Sequence, residues 1–287
     1  MIVDCHVHLN NYHEETKGPT QKNVARLAAA MERADVDHSV ILTSYMVNDA
    51  RPSVDQILEA VSEDPRFTVV AGLGLTRPTV DWSHLEEHLR DGTVKGLKLY
   101  PGYEYFYPHD AICGPVYELA AQYKVPVMVH SGDTYSSKGK VKYSHPIHID
   151  DVAVDHPDVT FIICHLGNPW LRDTAELLYK NENVYADVSG LTLVDFEERF
   201  EVFLLDEVKR MIRYMGEPHK LLFGTDWPIA EMAPYVSFME KLLEPEDRER
   251  VMWQNAATMF GIETESLEAA RKARLAKDVE QRADPVA

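Results

Sequence analysis

The chain has 287 residues, of which 45% are hydrophobic and 26% are charged, a balance typical of a packed globular protein and not of a disordered one. Its formal net charge of −18 argues against nucleic acid or a membrane as a partner, because the average surface repels phosphate backbones and anionic lipids. The three cysteines form no CxxC pair, so neither a disulfide framework nor a zinc ribbon is expected. The sequence does not open on a signal-peptide pattern, and no apolar run reaches the roughly 18 residues of a membrane helix, so we expect a cytoplasmic protein.

Short β-branched runs alternate with amphipathic stretches along most of the chain. The runs predict eight strands, at Ile2–His6, His38–Leu42, Thr68–Gly74, Gly96–Tyr100, Val127–His130, Thr160–Cys164, Val184–Asp187 and Leu221–Gly224. The amphipathic stretches predict helices at Thr20–Ala34, Val54–Glu63, Ser83–Asp91, Gly114–Lys124, Asp150–His156, Trp170–Lys180, Asp195–Met215 and Pro234–Leu243. Runs such as VPVMV and VTFIIC are almost wholly apolar, as in parallel strands that helices cover on both faces.

Eight βα units predict an α/β fold, a closed (β/α)8 TIM barrel that forms one domain over residues 1–262. The alternation alone also fits an open doubly wound sheet, which is the alternative. Residues 263–287 are charged and rich in helix formers, so we predict a C-terminal helical extension that packs outside the barrel or against a second subunit. A frayed tail is the other interpretation of this segment.

Ionisable side chains recur where the predicted strands end. His6 and His8 leave the first strand two residues apart, so both imidazoles point the same way, as a metal site requires, although so short a motif also occurs by chance. Further groups of this kind stand at or near the ends of strands four, five, six and eight: Lys98, His130, His165 and Asp226. Because active sites of these barrels lie at the carboxyl ends of the strands, the set predicts one metal-centred site.

The motifs DCHVH, VMVHSGD, ICHLGNPW and FGTDWP, in this order and spacing, resemble those of the amidohydrolase superfamily. The resemblance is to its amidohydrolase-related branch, which includes aminocarboxymuconate semialdehyde decarboxylase and several metal-dependent hydrolases and lactonases. It implies that His6, His8, His130 and Asp226 bind one divalent metal, with zinc expected first and manganese or iron as alternatives. It also implies that Asp226 acts on the water beside the metal.

The resemblance leaves two roles open. His165 acts as a base or electrostatic partner for the substrate, or else binds a second metal ion. Lys98 either attracts a substrate carboxylate as a point charge or, when carboxylated, bridges two metals. Asp4 either orients a histidine or pairs locally, and Cys5 and Cys164 are expected to be buried apolar residues.

Substrate contacts are expected from the loops that follow the strands, in particular from Tyr100, Tyr103, Asn168 and Trp170. The tyrosine-rich run GYEYFYPHD is the best candidate for a lid, and packing on the barrel is the alternative. Asp187 and Ser189, in YADVSG, lie after strand seven at the same end of the barrel and are further candidates for supporting or substrate-contacting groups.

The function that this pattern predicts is hydrolysis of an amide, lactone or ester-like bond of a small molecule by water that the metal activates. In this mechanism Asp226 accepts the proton of the attacking water and passes it to the leaving group. Nonoxidative decarboxylation of a small aromatic or unsaturated acid is the enzymatic alternative. A metal-binding barrel without turnover is the second alternative. The family resemblance also makes a homodimer a reasonable expectation.

Overall fold

The computed structural model describes residues 1–12, 18–77, 80–269, 271–272 and 274. Eight parallel strands follow one another around a single sheet in chain order. Their bounds are β1 Val3–Val7, β2 His38–Leu42, β3 Phe67–Gly72, β4 Val94–Leu99, β5 Val127–Val129, β6 Phe161–Ile163, β7 Val184–Asp187 and β8 Leu221–Leu222. Every predicted strand is present, and the predicted bounds differ from the observed ones by a few residues at most.

Helices occupy the connections between the strands. They are α1 Thr20–Ala34, α2 Val54–Val61, α3 Trp82–Arg90, α4 Gly114–Tyr123, α5 His148–Asp155, α6 Leu171–Lys180, α7 Glu198–Met215, α8 Met232–Leu242 and α9 Asn255–Phe260. The first eight confirm the predicted helices. The segment Arg250–Gln254, a π-helical turn, and α9 after it were not predicted, because α9 buries four of its six residues and shows no polar face. In the described residues, no helix is long and apolar enough to cross a membrane.

Side-chain caps fix the starts of α2 and α3. The Ser53 hydroxyl accepts the amide N–H of Gln56 at 3.2 Å, and the Gln56 side chain accepts the Ser53 N–H at 2.9 Å, which is a capping box. Asp81 Oδ1 accepts the N–H of His84 at 3.1 Å. Both helices therefore begin at defined residues, and this sets which of their side chains face each other.

The sheet closes because the residues that follow β8 bond to β1 and to the residue after it. The amide of Cys5 donates to Phe223 O at 2.9 Å, and beyond the strand ends the amide of His8 donates to Trp227 O at 2.7 Å. The buried Asp4 carboxylate also joins the two strands, since it accepts the Thr225 amide at 3.1 Å and the Thr225 hydroxyl at 2.6 Å. Closure confirms the predicted barrel and excludes the open doubly wound sheet.

Two layers of buried side chains result from the alternation along the strands. Alternate strand residues fill the barrel interior together with α9: Val3, Cys5, Val40, Leu42, Val70, Met128, Ile162, Cys164, Leu222, Ala256 and Phe260. The other face of each strand packs against the helices in a larger cluster. Cys5 and Cys164 are fully buried, as expected of apolar residues. The inner layer leaves the carboxyl ends of the strands as the open end of the barrel, which is where polar groups collect.

Part of the predicted C-terminal extension lies within the described residues. Residues 264–269 are helical, and Leu267 is buried in the inner cluster beside Ile262. The extension therefore starts as a helix that packs on the barrel. Residues 275–287 lie outside the described residues.

Gly72, at the end of β3, offers a test of how closely the strands are packed. A Cβ at this position would overlap the carbonyl oxygen of Thr43, whose side chain accepts the Gly72 amide at 2.7 Å. We expect Gly72→Ala to lower the free energy of unfolding by about 1–3 kcal/mol, because the backbone of β2 must move. Urea denaturation measures this change.

Gly114 is the matched control, because a Cβ there would have no atom within 4 Å and the residue begins α4. Gly114→Ala should leave the stability unchanged or raise it by up to about 1 kcal/mol. Equal effects of the two substitutions would contradict the packing described here.

Candidate metal centre

A cavity of about 520 Å³ opens at the carboxyl ends of the strands. Its wall brings together residues that are far apart in sequence: Tyr103, His130, Asp133, Tyr135, His165, Asn168, Gly190, Leu191, Thr192, Leu193, Asp195, Glu197, Phe200, Asp226 and Ile229. A larger cavity of about 1010 Å³ lies at the other end of the barrel and includes none of the predicted site residues. Of the predicted metal and catalytic residues, His130, His165 and Asp226 line the smaller cavity, whereas His6, His8 and Lys98 are not part of its wall.

His6, His8 and Asp226 form a close group at this end of the barrel. Each offers one ligand atom, and these atoms all lie within 4.8 Å of one another. Asp226 Oδ1 is 3.2 Å from His8 Nε2 and 3.8 Å from His6 Nε2. The Asp226 amide donates to His6 O at 2.8 Å, so the closure of the barrel is what holds the carboxylate against the histidines.

Both histidines are held by their outer ring nitrogens. His6 Nδ1 lies 2.9 Å from Asp187 Oδ2, and His8 Nδ1 lies 2.8 Å from the carbonyl oxygen of Leu42. A carboxylate and a carbonyl oxygen accept hydrogen bonds, so each Nδ1 carries a proton, and each ring in its neutral form keeps a free lone pair at Nε2. Metal-binding histidines are oriented in this way by the acceptors behind them.

Burial and neighbouring side chains together set the charge states of His6 and Asp226. Burial lowers the pKa of the His6 imidazole to about 3, with a further lowering from the Lys98 ammonium group. Burial alone raises the pKa of Asp226, but the contact with His8 and the nearby imidazoles of His6 and His165 outweigh it and hold this pKa well below its usual value. At neutral pH the site therefore offers a neutral His6 imidazole and an ionised carboxylate, the protonation state that a divalent metal requires. The donor set of His6, His8 and Asp226 fits zinc, and it also fits manganese or iron.

Asp187 supports two imidazoles at once. Besides His6, its carboxylate accepts the Ser189 hydroxyl in a short hydrogen bond and the His165 amide at 3.0 Å. Because the Ser189 proton points to Asp187, the Ser189 oxygen accepts from His165 Nδ1, 2.8 Å away. His165 is thus oriented through Ser189, and its Nε2 is left without a proton as long as the ring is neutral. Burial lowers the pKa of His165 and favours the neutral ring.

The backbone near His165 is unusual. His165 and Leu166 both have left-handed φ values, 60° and 52°, directly after β6. The facing residue is Gly190, where a Cβ would overlap His165 Nδ1 and approach within 3.2 Å of Asp226 Oδ2. Glycine at this position is what lets the two groups share the floor of the cavity.

His130 and Lys98 stand apart from the group of three. His130 lines the cavity with its ring centre 5.0 Å from that of His165, but its Nε2 lies 3.0 Å from the carbonyl oxygen of Asp133. Lys98 is buried inside the barrel, and its Nζ lies 2.7 Å from the sulfur of Cys164.

The four residues expected to contact substrate divide into two pairs. Tyr103 and Asn168 line the cavity. The Tyr100 hydroxyl donates instead to Thr43 O in a short hydrogen bond, and the Trp170 ring packs on His145 with 4.4 Å between ring centres. In the described structure, neither Tyr100 nor Trp170 is part of the cavity wall.

The sequence analysis missed most of one wall, the segment after β7. Leu191, Leu193, Glu197 and Phe200 line the cavity from this segment, and Leu193 is largely exposed. The run of apolar residues LTLV could have indicated this wall, because a loop at this position is usually polar.

A sequence model of the amidohydrolase family matches residues 3–262, which span the whole barrel and the metal centre. The chain belongs to the amidohydrolase family. The amidohydrolase match thus agrees with the resemblance carried by the sequence motifs. A comparison with curated proteins returned no match.

Solved structures share this amidohydrolase's fold at low sequence identity. They include 5-carboxyvanillate decarboxylase from Sphingomonas paucimobilis, with 16% identity, a TM-score of 0.67 and coverage of 91% of this chain and 99% of that one. A probable 2-pyrone-4,6-dicarboxylic acid hydrolase from Acinetobacter baumannii has 15% identity, a TM-score of 0.64 and the same coverages. A dihydroxybenzoic acid decarboxylase from Polaromonas, solved with bound manganese, has 17% identity, a TM-score of 0.65 and coverage of 93% and 98%.

Removal of the Asp187 charge tests how this site would hold a metal. We expect Asp187→Asn to weaken metal binding by about 10–100-fold, because the amide no longer fixes the His6 tautomer. Metal content after dialysis against a graded chelator series measures the change.

Asp133→Asn is the control, since Asp133 is an exposed carboxylate of the same cavity and its side chain accepts the Thr134 amide at 2.8 Å. It should leave the metal content as in the wild type. Equal retention of metal by both variants would contradict the orienting role of Asp187.

Proposed function

We propose that the protein is a metal-dependent hydrolase that cleaves an amide, lactone or ester-like bond in a small molecule without negative charge. The observation that carries this proposal is the position of Asp226. Its Oδ1 faces His8 Nε2, while its Oδ2 lies toward Gly190 in the wall of the cavity. One ionised carboxylate thus reaches both the metal-binding histidines and the space available to a substrate.

His6, His8 and Asp226 would hold the metal, and His130 is proposed as a further ligand on the strength of the family motif. Bound there, a divalent cation supplies Lewis-acid polarisation of water and of the substrate carbonyl. Asp226 Oδ2 accepts a proton from the attacking water and later donates it to the leaving group. This proton transfer needs an ionised carboxylate at neutral pH, which the low pKa of Asp226 provides.

His165 is proposed to accept a proton or hydrogen bond from the substrate. Its Nδ1 donates to Ser189, so a neutral His165 has a lone pair at Nε2 and no proton to offer an oxyanion. This pattern favours the role of base or acceptor over that of an oxyanion donor. Tyr103 stands on the facing wall, where its hydroxyl accepts the Tyr135 amide at 2.9 Å and keeps its own proton for the substrate.

The charge of the cavity favours hydrolysis over decarboxylation. Besides Asp226, its wall carries the carboxylates of Asp133, Asp195 and Glu197, and no lysine or arginine lines it among the described residues. A site selected for acids usually offers arginine or lysine to the carboxylate. Several solved neighbours are named for substrates that carry one or more carboxyl groups, so a different substrate class is proposed for this chain. Apolar side chains such as Leu191 and Phe200 would contact the uncharged part of the substrate.

Asp226→Asn is the first test of this mechanism. We expect kcat/KM for a neutral lactone or amide to fall by about 10²–10⁴-fold, because the general base is lost, with the fold intact by circular dichroism. Asp151→Asn, at an exposed carboxylate outside the cavity, should keep kcat within a few-fold of the wild type. Full activity of Asp226→Asn would contradict the assigned role.

The competing reaction is tested on paired substrates. Neutral lactones and esters should be hydrolysed with uptake of base in a pH-stat, while their carboxylated analogues should react more slowly because the cavity repels them. Release of carbon dioxide from an aromatic or unsaturated acid, with no hydrolysis of the neutral series, would assign the decarboxylase function instead.

A further inference from the structure

A second group of metal-binding side chains lies on the outer layer of the barrel, away from His6 and His8. Asp55 stands in the first turn of α2, and His84 and His88 stand one turn apart on α3. One carboxylate oxygen and two imidazole nitrogens converge there, with all three ligand atoms within 4.8 Å of one another. We propose that Asp55, His84 and His88 form a second site for a divalent transition metal, best suited to zinc.

The distances match a coordination shell. Asp55 Oδ1 lies 2.9 Å from His84 Nε2 and 3.0 Å from His88 Nε2, and the two Nε2 atoms are 3.2 Å apart. Ligand atoms around a tetrahedral zinc ion with bonds of about 2.0–2.1 Å are about 3.3 Å from one another. The three atoms therefore already form one face of such a tetrahedron, within a few tenths of an ångström.

The contacts of Nδ1 in His84 and His88 favour a proton on Nδ1 and a free lone pair on Nε2. His88 Nδ1 lies 3.0 Å from Thr93 Oγ1, whose own proton goes to His88 O, so Nδ1 is the donor in this contact. His84 Nδ1 lies 3.6 Å from the Glu87 carboxylate. These acceptors behind the rings orient both Nε2 atoms toward each other, as acceptors do behind metal-bound histidines.

Two nitrogen lone pairs that face each other at 3.2 Å repel unless a proton or a metal ion lies between them. The candidates are a proton and a metal ion. A proton needs one imidazole and the carboxylate, whereas a metal ion uses all three groups together. The convergence of the second imidazole on the same point is what favours the metal.

The site is open to solvent and to small molecules. The side chains of Asp55 and His84 are 60% and 47% exposed, and that of His88 is 17% exposed. The three residues border a cavity of about 390 Å³ that also includes Tyr45 and Arg77. The fourth ligand position thus faces free space, which suits water or a small anion. A metal bound there links α2 to α3.

Zinc binding by the full-length protein tests the proposal independently of any activity. Equilibrium dialysis at micromolar free zinc is run on the wild type, on His84→Ala/His88→Ala and on His6→Ala/His8→Ala. We expect the first double variant to hold about one zinc equivalent per chain less than the wild type. The His6/His8 variant should keep that equivalent and, with cobalt, should still show the visible absorption of a tetrahedral site.

His219→Ala is the matched control. This partly exposed histidine also contacts two carboxylates, Glu217 at 3.0 Å from Nδ1 and Asp247 at 3.0 Å from Nε2, but they lie on opposite ring nitrogens and do not converge. It should bind as much zinc as the wild type. Asp55→Asn, which keeps the shape of the side chain, should weaken the outer site at least tenfold.

Two outcomes would overturn the proposal. Equal zinc content in the wild type and in His84→Ala/His88→Ala at micromolar zinc would mean that the histidine pair holds a proton. Binding that appears first at millimolar zinc and persists in the double variant would mean adventitious surface binding. Both outcomes can be interpreted even if the barrel centre binds no metal, because the His6→Ala/His8→Ala variant measures zinc binding at the outer site alone.

Discussion

The buried carboxylate of Asp187 is the group on which the rest of the candidate metal centre depends. It accepts a hydrogen bond from His6 directly and orients His165 through Ser189. A carboxylate without partners would be costly at this depth, so the imidazole and hydroxyl donors stabilise it as much as it orients them. The consequence is that the ring tautomers are fixed before any metal or substrate arrives.

The closure of the barrel is the second constraint, because it decides which residues meet. His6 and His8 leave β1, and Asp226 follows β8, the last strand of the sheet. The backbone bonds between these strands and the Asp4 contact with Thr225 bring the carboxylate to the histidines. Burial raises the pKa of Asp4 to about 7, so this contact carries an electrostatic cost that its hydrogen bonds partly offset.

The fold of this molecule does not by itself determine its reaction. The barrel is shared with solved decarboxylases and a probable hydrolase, and the low identities mean that the likeness concerns the architecture. In this chain the segment after β7 contributes an acidic and partly apolar part of the cavity wall. Specificity in such barrels resides in these loops, whereas the strand ends carry the shared chemistry.

The sequence by itself determined the eight strands and the first eight helices, because the periodicity of apolar residues is a local property. The polar residues at the strand ends also predicted that His6, His8 and Asp226 meet once the barrel closes. Only the tertiary structure decided the support of His6 by Asp187, a contact across 181 positions that no local pattern records. It also decided that Tyr100 bonds to Thr43 while Tyr103 lines the cavity. Two tyrosines of the same loop thus have different roles, because packing against residues distant in the chain determines the direction in which each side chain points.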